Sequence, residues 1–130
     1  MVNKTLLYHN VLNLNRLISI LEKGKILKDE RIAKPAVYFT RDSKYLAIRG
    51  IQMVFDREKL SHRYKIKPFC LFGYYAARKI PTKLRFVDEF EERIYSDVDI
   101  TKTCIEIRIT GKKFKTIPPV LLENPLIKIV

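Results

Sequence analysis

The chain has 130 residues, a length that suits one domain. Its 26 Lys and Arg against 14 Asp and Glu give a net charge of +12, while 47% of residues are apolar. This composition argues for a soluble globular domain with a core, and against a disordered chain. No apolar run reaches the length of a membrane span, and the N-terminus lacks the pattern of a signal peptide. Cys70 and Cys104 cannot form a disulfide framework, and with His9 and His62 they give no zinc spacing. Buried free thiols in a reducing, cytoplasmic compartment are expected, with no metal site.

Thr5–His9 reads as a short buried strand. Asn13 then stands where a helix N-cap belongs, Leu14, Leu17, Ile18 and Leu21 form one apolar stripe, and Gly24 suits the C-cap. This pattern predicts a helix over residues 13–23. Residues 25–35 are charged and end in Pro35, which predicts a surface loop. Ala36–Thr40 is the next strand, and Asp42 caps a short helical turn through Leu46. Ile51–Phe55 is a further apolar strand, followed by one helical turn over residues 56–60 and an edge strand at Tyr64–Lys67. The aromatic and basic stretch 69–83 reads as loop with a short helix.

Glu89–Tyr95 has strand character despite four carboxylates in residues 88–92, a residue type that strands disfavour. Alternation puts Phe90, Glu92 and Ile94 toward the core and Glu89, Glu91 and Arg93 on the other face. Cys104–Ile109 alternates as well, with Ile105, Ile107 and Ile109 on one side. Thr110–Lys113 is a turn, and Phe114–Ile117 is expected to return as the second strand of a hairpin. Together these elements predict a single α+β domain over residues 1–130, with mixed and antiparallel sheets and a helix after the first strand.

Positive charge attracts polyanions. Lys59, Arg63, Lys65 and Lys67 form one basic group and Arg78 and Lys79 another, with Tyr64, Phe69, Tyr74 and Tyr75 interleaved. Cations beside aromatic rings suit stacked, phosphate-bearing bases, so these residues are the candidate nucleic-acid contacts. Nucleophile elbows and glycine-rich phosphate loops are absent from the sequence. A solvated acidic edge that resists aggregation is an alternative account of residues 88–92.

The order of features is strand with His9, capped helix ending in Gly24, strand with Tyr38-Phe39-Thr40, and strand with Glu89-x-Glu91. That order resembles the H-Y-E branch of the ADP-ribosyltransferase superfamily. Leu7-Tyr8-His9 with Leu17–Ile26 is similar to the opening of DarT-type DNA ADP-ribosyltransferases and RNA 2′-phosphotransferases, and Phe90–Ile94 is similar to the strand that carries the DarT-type glutamate. Small proteins of this pattern also occur in bacteriophages. Asn10 stands where the resembled proteins carry Thr or Ser.

The resemblance implies an ADP-ribosyltransferase-like fold, NAD as cofactor and a toxin-like glycosyl transfer onto nucleic acid or a host protein, in the cytoplasm of a bacterial or phage-infected cell. It implies that Glu91, His9 and Tyr38 are catalytic, with Glu92 the alternative carboxylate. It also implies that Tyr8, His9, Tyr38, Thr40, Arg41 and Tyr45 hold the cofactor: His9 at a ribose, Tyr38 or Tyr45 on the nicotinamide, and Arg41 at the pyrophosphate. The competing reading is a non-catalytic basic protein that grips nucleic acid or an acidic protein partner.

Overall fold

A computed structural model of the chain describes residues 5–31, 34–68 and 91–130. The chain opens with strand β1 (Leu6–Asn10) and helix α1 (Leu14–Lys23). The helix begins where expected because the Asn13 side chain accepts the Arg16 backbone N–H at 2.8 Å. It ends at Gly24, whose φ of 70° lets its N–H close on the Ile20 carbonyl. Leu17 and Ile20 are the buried members of its apolar stripe.

The charged segment after α1 is not wholly loop. It forms strand β2 (Lys25–Ile26), which pairs antiparallel with β7 (Val98–Asp99), and Asp29 bridges to Ala36. Strand β3 (Val37–Phe39) follows. A 3-10 turn over Ser43–Tyr45, capped by Asp42, runs into the short helix α2 (Leu46–Arg49). Strand β4 (Ile51–Asp56) leads into α3 (Arg57–Arg63), which is seven residues where one turn was expected. Asp56 caps it by accepting the Lys59 N–H at 3.1 Å. The edge strand near residue 67 is β5 (Lys67–Pro68); of the expected acidic strand, residues 92–94 form β6 (Glu92–Ile94) and Tyr95 lies beyond it, while residues 89 and 90 lie outside the described residues. Strand β8 (Cys104–Ile109), helix α4 (Pro119–Leu122) and strand β9 (Ile127–Ile129) complete the described elements.

Four strands form one sheet in the order β1-β4-β8-β9, with β8 and β9 parallel and the other pairs antiparallel. Three strands form a second sheet in the order β3-β6-β5. The mixed α and β class is as expected, but the predicted hairpin is absent. Thr110 accepts the N–H groups of Lys113 and Phe114, so the chain coils away from β8, and β9 fills the neighbouring position instead. Ile105 departs from the expected alternation: it is 44% exposed while Ile107 and Ile109 are buried. The register shifts between Val54 and Phe55 along the β4–β8 ladder, and such an irregularity turns a side chain out of its face.

One hydrophobic cluster draws on both sheets and α1. It includes Leu7, Leu17, Phe39, Met53, Phe55, Ile94, Ile107 and Ile109. Phe39 meets Phe55 edge-to-face at 5.3 Å, which ties the small sheet to the large one. Burial of each such side chain stabilises by roughly 1.5–3 kcal/mol. Cys104 is buried, as expected, and burial pushes its thiol up to about 11. The expectations for residues 69–83 and for Cys70 lie outside the described residues.

Candidate active site

The two sheets join at one residue pair. Tyr8 donates its N–H to the Thr40 carbonyl at 2.8 Å and accepts from the Thr40 N–H at 2.9 Å. Backbone pairing between β1 and β3 stops there. One residue further along β1, the His9 ring takes over: its Nδ1 donates to the Tyr38 carbonyl at 2.7 Å. A side chain thus satisfies a carbonyl that a continued ladder would have bonded. The ring also lies against Phe39, with centroids 5.8 Å apart.

Burial lowers the His9 pKa, and nearby Arg16 lowers it further, against the opposing pull of the Tyr38 carbonyl. His9 is therefore neutral at pH 7, with its proton on Nδ1, and Nε2 is left as an acceptor.

Where the strands part, a cleft of about 790 Å³ opens. His9 and Tyr38 line it from β1 and β3, and Arg16, Ser19, Ile20 and Lys23 line it from one face of α1. Lys25, Lys28 and Arg31 continue the wall through β2 and the following loop. Asp29, Glu30 and Asp97 are the lining carboxylates. Asp29 is bound to Arg31 at 2.9 Å through both carboxylate oxygens, which holds its pKa down to about 2, and Asp97 accepts the Lys28 backbone N–H at 2.8 Å. Among the described residues, no carboxylate pairs with the side chains of Arg16, Lys23, Lys25 or Lys28. The cleft wall therefore carries uncompensated positive charge.

Tyr38 belongs to a polar row. It stands beside Arg93 of β6, which stands beside Lys67 of β5. The Arg93 guanidinium lies 4.8 Å from the Tyr38 ring centre, and Arg93 Nε donates to Glu91 at 2.7 Å. Desolvation raises the Tyr38 pKa, Arg93 opposes this, and the charges of Asp29 and Glu91 add to the rise. The phenol is therefore neutral and able to donate.

Glu92 faces the other way, as alternation predicted, and is fully buried. Its Oε1 accepts from Arg57 Nη2 at 2.8 Å and Arg41 Nη2 at 3.1 Å, and its Oε2 accepts from Arg57 Nε at 3.1 Å. Burial pushes its pKa up, but the two arginines outweigh it and hold the carboxyl below the usual glutamate value. Glu92 is thus an internal counterion, with no surface left for a substrate.

The proposed cofactor residues divide accordingly. His9 and Tyr38 line one cleft; Glu91 is not among its lining residues and pairs instead with Arg93, which lies against the Tyr38 ring. Arg41 does not line the cleft and bonds Glu92 instead. Thr40 is buried, and its hydroxyl accepts the Asp42 N–H at 3.1 Å, closing the turn. Tyr8 is buried on the opposite face of β1, with Arg108 at 5.8 Å from its ring. Tyr45 sits on the 3-10 turn beside Lys44 and away from the cleft lining.

Lys59, Arg63, Lys65 and Lys67 are all exposed, whereas Arg78 and Lys79 lie outside the described residues. Lys23, Lys25, Lys28 and Arg31 stand out as a basic group in the sequence, but Arg16 and Ser19 of the α1 wall do not, although the i, i+3, i+7 spacing of Arg16, Ser19 and Lys23 marks one polar helix face. Among the described residues, no group of His, Cys, Asp or Glu is placed to hold a metal ion, and no helix is long and apolar enough to cross a membrane. Comparison with protein-family models, with curated proteins and with solved structures finds no match to this chain.

Proposed function

We propose that the chain is an NAD-dependent ADP-ribosyltransferase that modifies nucleic acid. The observation that carries this reading is the convergence of His9 and Tyr38, from two strands, on one cleft with a cationic wall. Its volume of about 790 Å³ falls within the roughly 300–1,000 Å³ range of small-molecule sites. Arg16, Lys23, Lys25 and Lys28 suit the two phosphates of a dinucleotide, and His9 Nε2 suits a ribose hydroxyl as acceptor. The fit is chemical: the wall supplies cations with no carboxylate partner among the described residues, and His9 and Tyr38 supply one acceptor and one neutral phenol.

NAD supplies a glycosidic C–N bond whose cleavage leaves positive charge on the ribose. Tyr38 offers one ring face for stacking, its other face being held by Arg93. Glu91 is the carboxylate that opposes the developing positive charge. Its orientation is fixed in advance by Arg93, and a charge that needs no reorganisation acts most strongly in a site shielded from water. The exposed cations Lys59, Arg63, Lys65 and Lys67 suit the phosphates of the acceptor strand, since Lys67 heads the row that ends at Tyr38.

The test is nicotinamide release from NAD, with and without single- and double-stranded DNA and RNA. Wild type is expected to release nicotinamide, nucleic acid to stimulate it, and Glu91→Gln and His9→Ala to abolish it in folded protein. Failure of the wild type to bind NAD by calorimetry would refute the proposal. The exposed basic residues of α3 and β5 favour a second reading, nucleic-acid binding without catalysis. In that case Lys59→Glu with Arg63→Glu would remove binding while Glu91→Gln leaves it unchanged.

A further inference from the structure

A second concavity, of about 570 Å³, lies outside the cleft and shares none of its lining residues. It is lined by Leu46 and Ala47 of α2, by Thr110, Lys112 and Lys113 of the turn after β8, and by Val130 after β9. Three segments meet here in a hydrogen-bonded frame. Thr110 donates its N–H to the Gly50 carbonyl at 2.9 Å, Gly111 to the Val130 carbonyl at 3.0 Å, and Val130 to the Ile109 carbonyl at 2.9 Å. Lys113 Nζ reaches across to the Ile48 carbonyl and ties the turn to α2. The groove is therefore built from anchored backbone.

Its floor is apolar and its rim is cationic. Leu46, Ala47 and Val130 supply the floor, and Ile48 and Val130 are 60% and 58% exposed. Arg49, Lys112, Lys113 and Lys115 are exposed on the two segments that frame it, whereas Lys44 is paired with Asp42 at 3.5 Å. Neither segment, residues 43–50 or 110–116, contains an aspartate or glutamate. Nucleic acid is a poor match, because among the described residues no aromatic or amide side chain lines the groove to stack on or bond a base. A concave apolar floor inside a positive rim is complementary to an apolar side chain flanked by carboxylates.

We propose that this groove docks an acidic amphipathic segment of a partner protein. One large apolar side chain enters between Leu46, Ala47 and Val130. The carboxylates on either side of it face Lys112 and the neighbouring cations. The contact is independent of the NAD reading and needs nothing from the cleft.

The test is selection from a displayed random-peptide library on the full chain, followed by fluorescence polarisation with an enriched peptide. Enriched peptides are expected to carry Asp or Glu on both sides of a leucine, isoleucine or phenylalanine. Ala47→Arg, an exposed change that fills the floor, should weaken binding at least tenfold, and Lys112→Glu should do the same. Raising the salt concentration should weaken it further. Lys112 is chosen over Lys113 because the latter also holds the Ile48 carbonyl, and circular dichroism confirms that both variants fold. Enrichment without acidic residues, enrichment retained on Ala47→Arg, or no enrichment at all would overturn the proposal. Displacement of the peptide by a single-stranded oligonucleotide, lost in Lys112→Glu, would overturn it in favour of nucleic acid.

Discussion

Glu91 and Glu92 are neighbours with opposite fates, and one pair of substitutions separates them. The Glu92 carboxylate is 1% exposed and faces two guanidinium groups, Arg57 at 34% and Arg41 at 28% exposed. Glu92→Gln keeps the shape but removes the charge that both arginines oppose. Removing one partner of a buried ion pair costs about 3–5 kcal/mol. Both arginines retain some access to water, so the lower end applies, about 3 kcal/mol. At this chain length that corresponds to a fall in melting temperature of roughly 10 °C.

The pH dependence follows from the lowered pKa of Glu92. An unfolded glutamate titrates near about 4.3, and the folded carboxyl holds its proton less tightly than that. The stabilisation is therefore complete above about pH 4.3 and is lost as pH falls through the lower folded value. Glu91 and Arg93 are 19% and 14% exposed and form a single pair, so Glu91→Gln should cost more than a surface pair but less than Glu92→Gln, about 1–2 kcal/mol. Urea unfolding at pH 7 and at a series of pH values descending from about 4.3 reads both effects. Nicotinamide release should show the reverse order, with Glu91→Gln inactive and still stable. If Glu92→Gln unfolds within about 1 kcal/mol of wild type at pH 7, the buried triad does not carry the stability assigned to it here.

Further outcomes are specific. His9 has a folded pKa below its unfolded value near about 6.5, so stability should be full above that pH and fall as the pH drops through the folded value. Urea midpoints at pH 7.5 and 5.5 should differ in wild type and converge in His9→Gln; an unchanged difference in the variant would assign the effect elsewhere. Gly24→Ala and Gly50→Ala both place a side chain at positive φ, at 70° and 87°. The new Cβ of the first meets Thr101 at an ordinary 3.5 Å, whereas that of the second meets Phe114 at 2.6 Å. Thermal denaturation should show a loss of about 1 kcal/mol for Gly24→Ala and about 2–3 kcal/mol for Gly50→Ala, the excess being the steric term. Cys104, with its thiol raised to about 11, should resist alkylation at pH 8 in a Cys70→Ser background until urea unfolds the chain. Rapid labelling of the folded protein would contradict its burial.

Local signals carried most of the elements. Asn13 and Gly24 bound α1 because capping chemistry is decided within a few residues, and apolar runs marked β1, β3, β4 and β8 for the same reason. Alternation through Ile94 assigned Glu92 inward and Glu91 outward. Some failures are local, such as the length of α3 and the unanticipated helix α4, but those that decide the topology and the site concern partners distant in sequence. Lys112-Lys113 resembles a hairpin turn, but β8 pairs with β9 in parallel, a pairing that needs a crossover and leaves no turn signature. Ile105 points outward because the β4–β8 register shifts, and a register is a property of two strands. Arg41 and Arg57 reach Glu92 only because β3 pairs with β6 and α3 starts at the end of β4. No local pattern in Arg41 separates an arginine that holds a pyrophosphate from one that holds an internal carboxylate.

The candidate site follows from one interruption in pairing. Had β1 and β3 continued beyond Tyr8 and Thr40, Tyr38 would have been bonded by backbone and no cleft would have opened beside α1. The His9 ring supplies the missing donor while keeping the strands apart, so the residue that ends the ladder also presents Nε2 to the opening. On the far side of β3, the small sheet needs an anchor of its own, since a single bridged residue pair is its backbone link to β1. Phe39 against Phe55 and Glu92 between Arg41 and Arg57 supply that anchor from the buried face. The opposite face of the same strands is thereby left to Tyr38, Arg93 and Glu91. Successive residues of β3 and β6 thus divide by the pleat of the strand, which sends Glu92 to the buried anchor and leaves Glu91 with Arg93 on the opposite face.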